Sequence, residues 1–157
     1  MGLENLYEQY ADMLYRVSFS LLQNKADAED AVMDVFERYL RARKRFVSSE
    51  HEKAWLLKVA VNRCRDLLRK KKFRLYTPLE EVTSLPAEEQ TVFDFSAILS
   101  LPQEQKEVIL LYYFEDMKVE EIGEVLSAST SAVKMRLVRA RESLRERLGD
   151  EYEIRLK

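Results

Sequence analysis

Val119-Glu120-Glu121-Ile122-Gly123-Glu124-Val125-Leu126, then Ser127-Ala128-Ser129, then Thr130-Ser131-Ala132-Val133-Lys134-Met135-Arg136-Leu137-Val138-Arg139-Ala140-Arg141 carries the most specific structural signal in the chain. A short amphipathic helix over 119–126 meets a tight turn, and a longer helix runs from Thr130 to about Leu148. Ile122, Leu126, Val133 and Leu137 supply apolar contacts on both sides of the turn. Gly123 removes a side chain where a second helix would cross closely. This is the helix-turn-helix pattern, although a helical hairpin in any bundle shares it. The wheel of the second helix sharpens the reading. Val133, Leu137, Ala140, Leu144 and Leu148 share one arc, while Met135, Val138, Arg139 and Glu142 lie opposite. Ser131 and Ala132 stand at its exposed start, and Lys134 and Arg136 flank the apolar stripe. A helix that reads base edges needs an outer face with cations beside it to grip phosphates.

Upstream, the same periodicity predicts an all-helical chain. Leu3, Leu6, Tyr10, Leu14, Val17 and Leu21 recur at helical spacing over 3–22. Asp27 is the expected cap of a second helix, with Glu29 and Asp30 in its first turn and an apolar stripe of Ala28, Ala31/Val32, Val35/Phe36 and Tyr39/Leu40. Ser49 and Glu52 match a capping box that opens a third helix. That helix is apolar over a wide arc from Trp55 to Leu68 and ends in Arg69-Lys70-Lys71-Lys72. Pro78 and Pro86, interspersed Thr and Ser, and glutamates as the charges after Arg74 mark 73–90 as an acidic linker. Ser100 with Gln103 is a further capping box, with Pro102 in the first turn of the helix that carries Val108 to Phe114. The expected fold is all-α: two small helical bundles, 1–72 and 91–150, joined by a flexible linker, the second containing the helix-turn-helix.

The chain has 157 residues, 46% of them hydrophobic and 34% charged, which suits one ordinary domain or two very small ones. With one Cys (Cys64) and one His (His51), neither an intrachain disulfide nor a His/Cys zinc cage can be built. Cys64 reads as a small core residue, His51 as a surface residue, and Trp55 as core. No Gly-rich phosphate loop and no nucleophile–His–acid set is present, so an enzyme is not expected, nor a cofactor, a metal or a small-molecule substrate. The longest apolar run, Val108 to Phe114, is too short to span a bilayer, and no signal-peptide pattern opens the chain, so a cytoplasmic protein is expected. The net charge of −2 conceals an uneven distribution. Residues 1–75 carry 16 Lys/Arg against 11 Asp/Glu, residues 76–124 carry 2 against 12, and residues 125–148 carry 6 against 2. Two basic stretches around an acidic one suit two contacts with a polyanion, while a solvated charge pattern without a partner is the plainer account.

Several motifs in order resemble RNA polymerase sigma factors of the extracytoplasmic-function (ECF) type in the sigma-70 family, over nearly the whole chain. Asp27-Ala28-Glu29-Asp30-Ala31-Val32-Met33-Asp34-Val35-Phe36 is similar to the family's polymerase-binding helix. Ala54-Trp55-Leu56-Leu57-Lys58-Val59-Ala60-Val61-Asn62 is similar to its minus-ten-reading helix. Leu101-Pro102-Gln103, Val119-Glu120-Glu121-Ile122-Gly123 and Val133 to Arg141 resemble its minus-thirty-five domain. The resemblance implies that Asp30, Val35 and Phe36 dock on the clamp coiled coil of core polymerase. It implies that Phe46, the loop to Lys53, and Asn62 accept a base flipped from the melted minus-ten element, and that Lys58, Arg63, Arg69, Lys70, Lys71 and Lys72 hold phosphates. Ser131, Lys134, Met135, Arg136, Val138 and Arg139 would face the minus-thirty-five element. An amide such as Asn62 can both donate to and accept from a flipped base. The family also implies an anti-sigma partner, which could hold the protein at the membrane, and a linker that imitates nascent RNA in the polymerase. Met33, Lys118, Ser131, Ala132 and Met135 depart from the family's usual residues. The implied function is a promoter-specificity subunit that binds single- and double-stranded promoter DNA. A helix-turn-helix regulator acting without polymerase is the alternative.

Overall fold

The computed structural model describes residues 3–73 and 95–148. Most of the expected linker, the stretch from Thr91 to Asp94 and the residues after Leu148 lie outside these. The chain divides into two compact units, Met1–Thr83 and Ser84–Lys157, and among the described residues every regular element is helical.

Unit 1 is three mutually packed helices, α1 (Leu3–Leu22), α2 (Lys25–Ala42) and α3 (Ser49–Phe73). Their apolar stripes meet as the spacing predicts: Leu14, Val17, Ala28, Val35, Leu56, Leu57, Ala60, Val61 and Cys64 are buried together as the core. Truncating a leucine such as Leu14 in such a core costs roughly 2–5 kcal/mol. The helix ends differ from the sequence reading in two places. Gln23 closes α1 in the left-handed region (φ 51°), and the next residue, Asn24, rather than Asp27, caps α2. Its side chain accepts from the Asp27 N–H at 2.8 Å, so Asp27 is the group being capped. At α3, the Ser48 hydroxyl accepts from the His51 N–H at 3.1 Å, and the Ser49/Glu52 box does not form. Glu52 turns inward instead, toward two tyrosines.

Unit 2 contains α4 (Phe95–Leu99), α5 (Gln103–Ile109), a π-helical turn over Leu110–Phe114, α6 (Val119–Leu126) and α7 (Thr130–Leu148). The Ser100/Gln103 box also fails to form. The Ser100 hydroxyl donates to the Ala97 carbonyl at 2.8 Å and accepts from Arg147 Nε at 3.0 Å, while Gln103 bonds Glu107. The apolar run 108–114 offers no polar stripe to set a regular register. The chain widens into the π turn, closed by Glu115 N–H to the Leu110 carbonyl at 3.0 Å. Leu110 and Leu111 stay buried there, and the Tyr113 hydroxyl meets Arg141 Nε at 2.7 Å.

The helix-turn-helix is present. Glu121 accepts from the Lys118 N–H at 2.9 Å and so opens α6 without a capping hydroxyl. Ser127 ends α6 in the left-handed region (φ 56°), and the Ser129 hydroxyl accepts from the Ala132 N–H at 3.1 Å to start α7. Gly123 is required for a reason other than a helix crossing: a Cβ there would lie 2.7 Å from the backbone carbonyl oxygen of Ala128, in the turn itself. That contact is too short for any side chain to occupy without moving the turn.

Candidate nucleic-acid and polymerase interface

The site in unit 1 grows from the α2–α3 corner. The end of α2 and the start of the connection are rich in cations, and the middle of α3 presents Lys58 and Asn62 one turn apart, both exposed. The two elements face each other across an open groove of about 700 Å³ lined by Arg38, Arg41, Lys44, Trp55, Lys58 and Asn62, with Ala42 and Val59. The sequence reading contained Lys58 and Asn62 but lacked Arg38, Arg41 and Lys44. Their signal was the concentration of positive charge from Arg38 to Arg45.

Aromatic rings form one wall of this corner. Phe46 is half-buried, with its ring centroid 6.1 Å from Tyr39, 5.9 Å from Trp55 and 5.4 Å from His51. Trp55, expected in the core, is only partly buried and lines the groove, where the Tyr39 ring meets it edge-on at 6.1 Å. Tyr39 is itself fixed. Glu52 on α3 accepts from the Tyr39 hydroxyl of α2 at 2.7 Å and from the Tyr10 hydroxyl of α1 at 3.0 Å. This hydrogen bond, then burial, pushes the Tyr39 hydroxyl up to about 12, and burial first, then the same carboxylate, raises Tyr10 as well. One carboxylate thus ties three helices and braces the ring that carries Phe46.

The expected phosphate-holding residues do not all stand free. Arg63 is partly buried in an ion pair with Asp34 at 2.5 Å, which ties α3 to α2 and satisfies its charge within the bundle. Lys71 pairs with Asp27 at 3.2 Å, and Arg69 pairs with Asp66 on the same helix. Lys70 is exposed, and the Lys72 side chain lies outside those described. On α2, Asp30 is exposed, but Val35 (0% exposed) and Phe36 (4%) are core residues. The resemblance had put them on a docking face, but their positions on the apolar stripe commit the side chains inward. The exposed large apolar residues of α2 are Met33 and Leu40.

In unit 2, α7 buries Val133, Leu137, Ala140 and Leu144 and exposes Ser131, Lys134, Met135, Val138 and Arg139, as the wheel predicts. Arg136 departs from the expectation. It is mostly covered, with Nε 3.9 Å from Glu104 Oε1 of α5. Arg141 is likewise engaged within the unit, its guanidinium over the Tyr112 and Tyr113 rings at 5.8 and 5.6 Å.

Residues 6–74 match the family model of sigma-70 region 2, and residues 95–144 match that of sigma-70 region 4. The RNA polymerase sigma factor SigV of Bacillus subtilis is 33% identical over 141 residues, spanning 87% of this chain and 85% of that protein. The chain belongs to the sigma-70 family. The ECF RNA polymerase sigma factor SigW of the same organism is 28% identical across 93% of this chain and 88% of its own length, which places the chain in the ECF group. The solved sigma factor RpoE of Bartonella quintana, in complex with the anti-sigma factor NepR, shares the fold: TM-score 0.76 over 91% of this chain and 94% of that one, at 22% identity. The protein is a promoter-specificity subunit of bacterial RNA polymerase, binding core polymerase and the minus-ten and minus-thirty-five elements. The polymerase-free regulator is thereby set aside, since region 2 accounts for the N-terminal bundle. Sigma factors are non-catalytic initiation factors. Among the described residues no helix is long and apolar enough to cross a membrane.

Proposed function

We propose that the α2–α3 groove of this sigma factor takes the melted minus-ten strand. The observation that carries the reading is the convergence of Trp55, Lys58 and Asn62 with the cations Arg38, Arg41 and Lys44 in one open groove beside Phe46. A single strand needs an aromatic surface for its bases and positive charge along its backbone, and an amide distinguishes one base edge from another. Lys58 and Lys70 hold phosphates directly. Arg63, Arg69 and Lys71 would exchange their carboxylate partners for phosphate. Lys72 continues the same basic run.

Polymerase docking uses the outer face of α2, with Asp30 and the exposed Met33, while Val35 and Phe36 hold that face in place from inside. On α7, Arg139 reaches a base edge and Lys134 grips a phosphate. The chain carries out no chemistry of its own, acts in the cytoplasm, and is sequestered by an anti-sigma partner that covers the α2 face; a membrane-anchored partner would hold it at the bilayer. The linker at 73–90 joins the two DNA-binding bundles.

Run-off transcription with core polymerase tests this. Initiation should require the chain. Lys58→Ala should weaken every promoter alike and lower the salt slope by about one unit. Asn62→Ala should relax selectivity at one minus-ten position. Unchanged initiation by Trp55→Ala, Lys58→Ala and Asn62→Ala together would overturn the placement of the strand in this groove.

A further inference from the structure

At about 100° per residue, Ser131, Met135, Val138 and Glu142 fall within one arc of about 60°, the most outward line of α7. The cations stand to the sides: Lys134 and Arg145 on one flank, Arg139 on the other, all exposed. The middle of the line is apolar. Met135 is 49% exposed and Val138 44%, and these are the large exposed hydrophobic residues of unit 2 among those described. Neither side chain offers a strong donor or acceptor to a base edge. The only polar groups on the line are the Ser131 hydroxyl at its start and the Glu142 carboxylate at its far end, where negative charge opposes a close approach to phosphate. A duplex seated on this helix therefore meets cations at its backbones and two aliphatic side chains at the floor of its major groove. The one apolar group that a base pair displays there is the C5-methyl of thymine.

We propose that Met135 and Val138 are specificity-determining residues that read thymine methyl groups at neighbouring positions of the minus-thirty-five element, on either strand. This rests on α7 being the minus-thirty-five reader. Val138 is short and branched, so it packs against one methyl. Met135 is long and unbranched and spans the gap to a second. The selected pairs are T·A or A·T, flanked on the Arg139 side by a pair that presents guanine acceptors.

Deoxyuridine differs from thymidine only in lacking that methyl, so it isolates the contact. Promoter libraries randomised over the minus-thirty-five region, prepared once with thymidine and once with deoxyuridine, are selected with holoenzyme assembled from the full chain and core polymerase. The thymidine library should enrich thymine at two neighbouring positions, by about fourfold per methyl buried. The deoxyuridine library should lose that enrichment. Met135→Ser and Val138→Ser should each flatten one of these positions; both side chains are exposed, so folding is retained, and minus-ten selection serves as the internal check. Equal enrichment in the two libraries, enrichment that survives both substitutions, or no thymine preference overturns the proposal while leaving α7 as the reader. A holoenzyme that selects nothing at all over the minus-thirty-five region overturns both.

Discussion

The two surfaces proposed to face DNA are held in place by opposite means. In unit 1 the aromatic corner is braced by a polar pin: Glu52 of α3 gathers hydroxyls from α1 and α2, and through Tyr39 it supports Phe46 and Trp55. In unit 2 the recognition helix is set by an absence, the missing side chain of Gly123 beneath the Ala128 carbonyl. The contrast follows the tasks. In the proposed reading a splayed single strand is met by rings and an amide whose orientation matters, and hydrogen bonds are directional. A duplex is met by a convex helix whose angle matters, and close backbone contact sets an angle well.

The largest effect should come from removing the pin. Glu52→Ala leaves two tyrosine hydroxyls without their acceptor, one of them on a buried residue, and should cost about 3 kcal/mol in unit 1. Urea unfolding followed by Trp55 fluorescence, the tryptophan being in unit 1, reads this directly. A loss well under 1 kcal/mol would mean that the pin carries little. Next comes the turn. Gly123→Val should cost about 2 kcal/mol in unit 2, because the new Cβ confronts backbone and not the pliable end of a side chain. Amide exchange should rise along α6 and the start of α7 and stay unchanged in α1 to α3. Spread of the change into unit 1 would break the comparison.

The smallest effect at working pH separates the two surfaces by titration. Tyr39 and Tyr10 both have raised values in the folded state, so the fold favours their neutral forms. Their contribution is therefore complete below the ordinary tyrosine value of 10.0; the Tyr39 part is lost as pH rises through about 12, and the Tyr10 part at still higher pH. Thermal melts across that range should show unit 1 losing stability in step with tyrosinate absorbance. In Glu52→Gln both tyrosines should titrate nearer 10.0 and the alkaline loss should shrink. An unchanged alkaline profile in that variant would assign the shifts to burial alone.

Periodicity carried most of the fold. The stripes of α1, of α2 as far as Phe36 and of α7 as far as Leu144 are buried as spaced, whereas Leu40 at the end of the α2 stripe is exposed; a three-residue turn between apolar positions identified the helix-turn-helix. Caps were less legible, because Asn24 and Asp27, or Ser48 and Ser49, are chemically equivalent candidates and tertiary context chooses between them. Gln23 ends α1 one residue before Asn24, and Glu52 is drawn away from Ser49 by two hydroxyls that are remote in sequence. The π turn was hidden for a related reason: a continuous apolar run has no phase. At the site, Lys58 and Asn62 came with the family likeness and stand exposed on α3, whereas Arg38, Arg41 and Lys44 depend on how α2 crosses α3. Val35 and Phe36 show the reverse case. Their spacing alone marked them as interior, and the docking role came only with the family likeness.

The Glu52 junction also bears on the order in which unit 1 assembles. Its partners lie 42 residues apart for Tyr10 and 13 for Tyr39, so no single helix and no neighbouring pair of helices completes it. Closing it requires α1, α2 and α3 all in position. Such a contact is expected to form after the rate-limiting step, once apolar packing has brought the helices together. Glu52→Gln should therefore leave the refolding rate of unit 1 nearly unchanged and speed its unfolding. The pin acts as a latch: it governs how long the aromatic corner stays assembled and has little influence on how soon it forms.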